Sequence, residues 1–229
     1  MQNSKDISNI AKKIYKSVFR TNFDEPGFYL VDLQRDMTSN EFRKFMVSIK
    51  EELSKIHISK YKKTLLYLSV GRFDQQESTK PHLDGGPEES ILMLGYEPSC
   101  VDSIIEIADY TKCAYDLGVT PDKFMQDYNP MFEFNKNILQ PYNQEIKSFN
   151  KSSYQILCIN NSSAPYITNK PYWQGVLHTA TITNSDSSKQ RIINSTMFTS
   201  ASLKTPNIIS EDEIDYFIKT TEIKQKIYS

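Results

Sequence analysis

The chain has 229 residues, enough for one hydrophobic core of ordinary size. With 38% hydrophobic and 24% charged residues, a packed globular fold is expected and a long disordered tract is not. Twenty-seven basic residues against 28 acidic ones give a formal charge of −1. Such a balance offers no general attraction to nucleic acid or an anionic membrane.

Residues 4–20 place Ile7, Ile10, Ala11, Ile14 and Phe19 at helical spacing. Charge is scattered through this segment without an apolar h-region, so no secretory signal is expected. Pro26-Gly27 ends the segment, and Phe28 to Leu33 reads as a short strand. Thr38-Ser-Asn-Glu41 is a capping-box pattern opening a helix to about Ile56. Strands are then expected over Lys63–Phe73, Ser90–Tyr96 and Ser103–Ala108. Residues 109–130 read as helical, with Thr120-Pro-Asp a good start, and residues 131–150 show no clear pattern. Ser153–Ile159, Gly175–Thr183 and Arg191–Thr199 supply three further strands. Ser210-Glu-Asp-Glu213 opens a last helix to about Ile223.

No repeat or linker divides the chain. The expectation is one domain over 1–229, with a helical N-terminal region over about 1–60 and a helical insertion over about 97–150. Its class is mainly β with flanking helices, a sandwich or barrel. Cys100, Cys113 and Cys158 are widely spaced and odd in number, which fits free thiols in a reducing compartment. No apolar run approaches the roughly 18 residues of a membrane span. A cytoplasmic location is the expectation, and oligomeric state is not readable.

The only histidines are His57, His82 and His178. His82 stands in Lys80-Pro-His82-Leu-Asp84-Gly-Gly. In extended backbone, positions i and i+2 point the same way, so His82 and Asp84 present an imidazole and a carboxylate to one point. His178 lies in the strand GVLHTATIT, with Val176 and Ala180 on its own face. Two histidines and a carboxylate on one side of a metal form the facial triad of non-haem iron oxygenases. Alone, His-x-Asp is a weak signal, and a turn histidine or a satisfied sheet histidine is the plainer reading.

Arg191 and Ser195 strengthen it. Arg191 opens the strand after that of His178, across the polar turn 184–190, so the two approach across a hairpin. Ser195 follows at an even spacing, on the same side as the guanidinium. A guanidinium fork beside a hydroxyl suits the distal carboxylate of a dicarboxylate, at about 1.5–3 kcal/mol per charge-assisted hydrogen bond.

The order His82-x-Asp84, His178, Arg191, Ser195, with Tyr67-Leu-Ser-Val-Gly71 ahead of it, resembles the Fe(II)/2-oxoglutarate-dependent dioxygenase superfamily, and its hydroxylase branch in particular. The resemblance covers about residues 64–200. It implies a double-stranded β-helix (jelly-roll, cupin-like) core. It implies Fe(II) on His82, Asp84 and His178, these three serving as the catalytic centre, with 2-oxoglutarate held by Arg191, assisted by Ser195 and Tyr67. O2 is then the oxidant and ascorbate a reductant. The spacings of 94 positions from Asp84 to His178 and 13 from His178 to Arg191 are long for the family. An intact Asp84 implies hydroxylation or desaturation, of a small polar substrate such as an amino acid. Arg72, Gln75 and Trp173 are candidate substrate contacts. The alternatives are a non-catalytic jelly-roll binding protein and a metal-dependent hydrolase or isomerase. Zinc accepts the same ligands, but Arg191 has no part in activating water.

Overall fold

The computed structural model describes residues 4–34, 36–131 and 136–225. Residues 132–135 of the expected insertion, and the ends of the expected domain at 1–3 and 226–229, lie outside the described residues. The chain runs α1 (Ser4–Val18), β1 (Phe28–Asp32), α2 (Ser39–Tyr61), β2 (Lys63–Asp74), β3 (Ile91–Tyr96), β4 (Asp102–Ala108), α3 (Tyr110–Asp116), α4 (Pro121–Asp127), α5 (Lys136–Leu139), β5 (Asn143–Glu145), β6 (Gln155–Asn160), β7 (Leu177–Asn184), β8 (Ile192–Ser202), α6 (Glu211–Lys219) and β9 (Lys224–Gln225).

The strands form two sheets. The larger has the order β1-β6-β3-β8-β2-β9 and the smaller β5-β4-β7. All pairings are antiparallel except the two-residue β9, which lies parallel to β2.

α1 and α2 cover one face of the large sheet. Both capping boxes read from the sequence are made: Thr38 accepts from the Glu41 N–H, and Ser210 from that of Glu213. α2 runs past Ile56 to Tyr61, where Lys62 turns left-handed (φ 57°) and donates to the Ile58 carbonyl. α6 stops at Lys219, earlier than expected, because Thr220 is extended. Residues 109–130 form two short helices, broken where Gly118 takes φ +70°.

Phe42, Phe45, Met46, Ile49 and Leu53 of α2 meet Leu65, Ile91, Met93, Ile156 and Phe198 of the sheet. The other face of that sheet packs Leu92, Leu94, Leu157, Ile159 and Ile193 against Ile105 and Ile107 of the small sheet and Val176 just ahead of β7. β3 and β6 are therefore covered on both faces, and every one of their residues is buried. That accounts for their unbroken apolar runs, where half-buried strands alternate. Each such side chain contributes about 1.5–3 kcal/mol by leaving water. The outer side of the small sheet carries a third cluster under α3 and α4, built on Tyr110, Phe124, Leu139 and Leu177.

One irregularity decides which side chains reach the space between the sheets. β2 has a bulge at Leu68: Tyr67 pairs with Phe198, yet Ser69 pairs with the next residue, Met197. The extra residue inverts the inside–outside alternation along the rest of the strand. β7 and β8 also depart from the sequence reading. They form no hairpin, because β7 pairs with β4 in the small sheet and β8 with β2 and β3 in the large one. The turn between them crosses the sandwich, and the two strands face each other across its interior.

Candidate metal centre

His178 is the second residue of β7 and points between the sheets with Val176 and Ala180. His82 lies directly opposite on the β7 edge. Its N–H donates to the His178 carbonyl at 3.2 Å, and the His178 N–H returns the bond at 3.1 Å. The Thr79 N–H donates to the Ala180 carbonyl at 2.8 Å, so residues 79–82 extend the small sheet. Pro81, lacking an N–H, confines them to this edge position. The facing pair brings the two imidazole centroids within 4.3 Å.

His82 Nδ1 lies 2.7 Å from the Lys80 carbonyl oxygen. A carbonyl can only accept, so Nδ1 carries a proton, and in the neutral tautomer this leaves Nε2 as the ligand atom. That Nε2 stands 3.7 Å from Asp84 Oδ1. One ligand atom from each of His82, Asp84 and His178 lies within 4.8 Å of the others. Ligands about 2.1 Å from a shared ion in adjacent positions stand about 3 Å apart. Two imidazoles and a carboxylate gathered this closely are a donor set that fits a divalent cation. The His82 and Asp84 side chains each keep 21% of their surface exposed, whereas His178 is buried. The group opens to solvent on the His82 and Asp84 side.

Arg191 sits just before β8 and lines the same cleft, with Ser195 beyond it. It is buried. Its Nη1 donates to the Gln75 carbonyl at 3.0 Å and its Nε to Ser103 Oγ at 3.3 Å. Its guanidinium carbon lies 5.2 Å from the Tyr96 ring centroid, and its main-chain N–H donates to Asp74 Oδ1 at 3.0 Å. The fork is thus held in place before any ligand arrives. Phe73, Leu94, Ala180 and Ile193 form apolar walls around a narrow space of about 40 Å³, partly open to solvent.

The structure brings together His82, Asp84, His178, Arg191, Ser195 and Gln75. It does not bring Tyr67, Arg72 or Trp173 to them. Tyr67 faces α2, with Lys50 Nζ 4.6 Å from its ring centroid. Phe73 points inward, and Tyr67 at an even distance from it would do the same in a regular strand; the bulge at Leu68 turns it away. Its hydroxyl is buried without a hydrogen-bond partner among the described residues. Burial pushes that phenol well above its usual range. Arg72, adjacent to inward Phe73, necessarily points to the helix side. There it bonds Glu97, Ser39 and the Thr221 carbonyl. Trp173 packs in the helix-side core against Phe19 and His57, at ring-centroid distances of 5.0 and 5.7 Å. The third histidine, His57, bridges Tyr15 and Ser200 at 2.8 Å each. Burial, helped by Lys63 and Lys60, brings its pKa down to about 4.

Sequence reading missed Thr79, which stitches the His82 segment to β7, and Asn161, which bonds the main chain of Asp84. Neither carries a local signal, since each acts across a long sequence separation. No family model matches the chain, and no curated protein does so either.

Proposed function

We propose that this protein is an Fe(II)- and 2-oxoglutarate-dependent oxygenase acting on a small polar substrate. One observation carries the reading: two imidazoles and a carboxylate converge within 4.8 Å, and a buried, pre-ordered arginine opens on the same cleft. Arg191 favours this over metal-assisted hydrolysis, because a guanidinium takes no part in activating the metal-bound water. The strand order supports a double-stranded β-helix. From β2 the chain crosses to residues 79–82, back to β3, over to β4 and β5, back to β6, then to β7 and β8. This passage between two facing sheets is what a jelly roll requires.

His82, Asp84 and His178 would hold the ion from one side, leaving the other open to ligands. When bound, Fe(II) would supply the activation of O2 that oxidises 2-oxoglutarate to succinate and CO2 and the substrate at a C–H bond. Charge favours a dianionic co-substrate: the ion (+2), Asp84 (−1) and Arg191 (+1) sum to +2. Arg191 and Ser195 would take its far carboxylate. The Gln75 carbonyl, Ser103 and the Tyr96 face already fix the guanidinium, so little side-chain entropy is lost on binding. Phe73, Leu94, Ala180 and Ile193 would line the carbon chain of the co-substrate. Gln75, lining the same cleft, supplies a polar group suited to a hydrophilic substrate.

Succinate release from 2-oxoglutarate with Fe(II) and ascorbate tests this without knowledge of the substrate. Wild type is expected to turn over slowly, His82→Ala and His178→Ala not at all, and Arg191→Ala only at much higher 2-oxoglutarate. Equal release from all four proteins would contradict the proposal.

A further inference from the structure

We infer that Asn161 is a positioning residue which holds Asp84 in its ligating orientation; the inference rests on the metal-centre reading above. Asn161 directly follows β6 in the large sheet, 77 positions from Asp84, and is buried. Its Oδ1 accepts from the Asp84 N–H at 2.9 Å, and its Nδ2 donates to the Asp84 carbonyl at 2.9 Å. The same Nδ2 donates to Ser90 Oγ at 3.0 Å. Only one orientation of the amide satisfies these contacts, because the flipped one sets NH2 against N–H and oxygen against oxygen. The side chain thus does for Asp84 what a neighbouring strand would do, at a point where the chain has left the sheet.

The platform beneath Asn161 is itself fixed. Its N–H donates to the Ser90 carbonyl at 2.9 Å, and Val176 donates to the Asn160 carbonyl at 2.9 Å. The Asn160 side chain donates to the Val18 carbonyl at 2.8 Å. Gly175 lies so close that a Cβ there would collide with the Ser162 carbonyl. Two residues after Gly175 the chain enters β7, one position before His178. Asn161 therefore ties the turn bearing Asp84 to the framework that delivers His178. Gly85-Gly86, next along the chain, gives that turn no stiffness of its own. Without the amide, the carboxylate must be ordered at the moment the ion binds.

Outer partners that orient metal ligands are typically worth 10- to 100-fold in metal affinity. The test is Co(II) titration, monitored by calorimetry and the visible spectrum, of wild type, Asn161→Ala, Asp84→Ala and the double variant. Asn161→Ala is expected to weaken Co(II) binding about 10- to 100-fold. In the Asp84→Ala background the same change is expected to have no further effect, since its route to the ion is gone. Wild-type affinity in Asn161→Ala would overturn the inference, as would the full loss repeated in the Asp84→Ala background, which would mark a merely structural role. Should Asn161→Ala lose its thermal unfolding transition, Asn161→Asp takes its place with the same expected outcomes. It keeps the acceptor for the Asp84 N–H but sets a carboxylate against the Asp84 carbonyl. Wild type that binds no Co(II) overturns the metal-centre reading and this inference with it.

Discussion

At the scale of single residues, the cleft depends on a few side chains whose chemistry cannot be exchanged. Lysine would keep the charge of Arg191 but not its simultaneous contacts to Gln75, Ser103 and the Tyr96 face. Arg191→Lys is expected to raise the KM for 2-oxoglutarate at least about tenfold, with kcat changed less, as loss of one or more charge-assisted bonds requires. Tyr67 behaves in the opposite way. Its hydroxyl is buried without a partner among the described residues, so Tyr67→Phe removes only an unpaid desolvation cost. The variant is expected to leave that KM unchanged and to raise the melting temperature or leave it unaltered. A KM shift would return Tyr67 to the proposed co-substrate site. His57 contributes to the pH dependence of stability. It is neutral in the fold, with a pKa near 4 against about 6.5 unfolded. Between these values the unfolded chain binds the extra proton, so stability falls as pH drops from about 6.5 to 4 and this loss levels off below. His57→Gln is expected to flatten the urea midpoint over that window; an unchanged slope would refute the assignment.

At the scale of elements, the C-terminal segment is fastened by buried charge. Arg43 donates to the carbonyls of Ile218 and Thr220, and Arg72 to that of Thr221. Glu97 lies between them, 3.5 Å from Arg43 and 3.3 Å from Arg72. Burial, with the neighbouring Arg72 cation, lowers the Arg43 pKa. Removing the carboxylate leaves two buried guanidinium groups uncompensated. Glu97→Gln is therefore expected to cost about 3–5 kcal/mol in denaturant unfolding, and a loss under about 1 kcal/mol would show that the cluster is better solvated than its burial implies. Elements were legible where their signals were local. The capping boxes at Thr38 and Ser210, the paired apolar runs of β3 and β6, and the His82-x-Asp84 spacing each lie within a few residues. What escaped was set by distant partners: three-residue β5 and two-residue β9 exist only through pairing with β4 and β2. The bulge at Leu68, which redirects Tyr67, answers to the register of β8 and leaves no trace in its own composition.

At the scale of the molecule, the two sheets divide the work. The large one, backed by α1 and α2, brings Arg191 and Ser195; the small one brings His178 and, through its β7 edge, His82. The sequence reading joined His178 to Arg191 by a hairpin, and the fold joins them by facing strands in separate sheets. Both arrangements put the residues in one place, which is why they could be grouped from sequence although β7 and β8 form no hairpin. Substrate contacts fared worse: Gln75 lies in the cleft, while Arg72 and Trp173 serve the helix-side core. Alternation along a bulged strand, and the packing of a lone tryptophan, are decided by tertiary partners rather than by neighbours in sequence. Among the described residues no helix is long and apolar enough to cross a membrane.

Anaerobic addition of 2-oxoglutarate to the Fe(II)-loaded protein probes the convergence of ion, ligands and arginine in a single step. Chelation of the keto acid at iron held by His82, Asp84 and His178 is expected to produce a visible charge-transfer band. The band should be absent in His178→Ala and require far more 2-oxoglutarate in Arg191→Ala. No band in the wild type, or the same band at the same concentration in His178→Ala, would contradict the account.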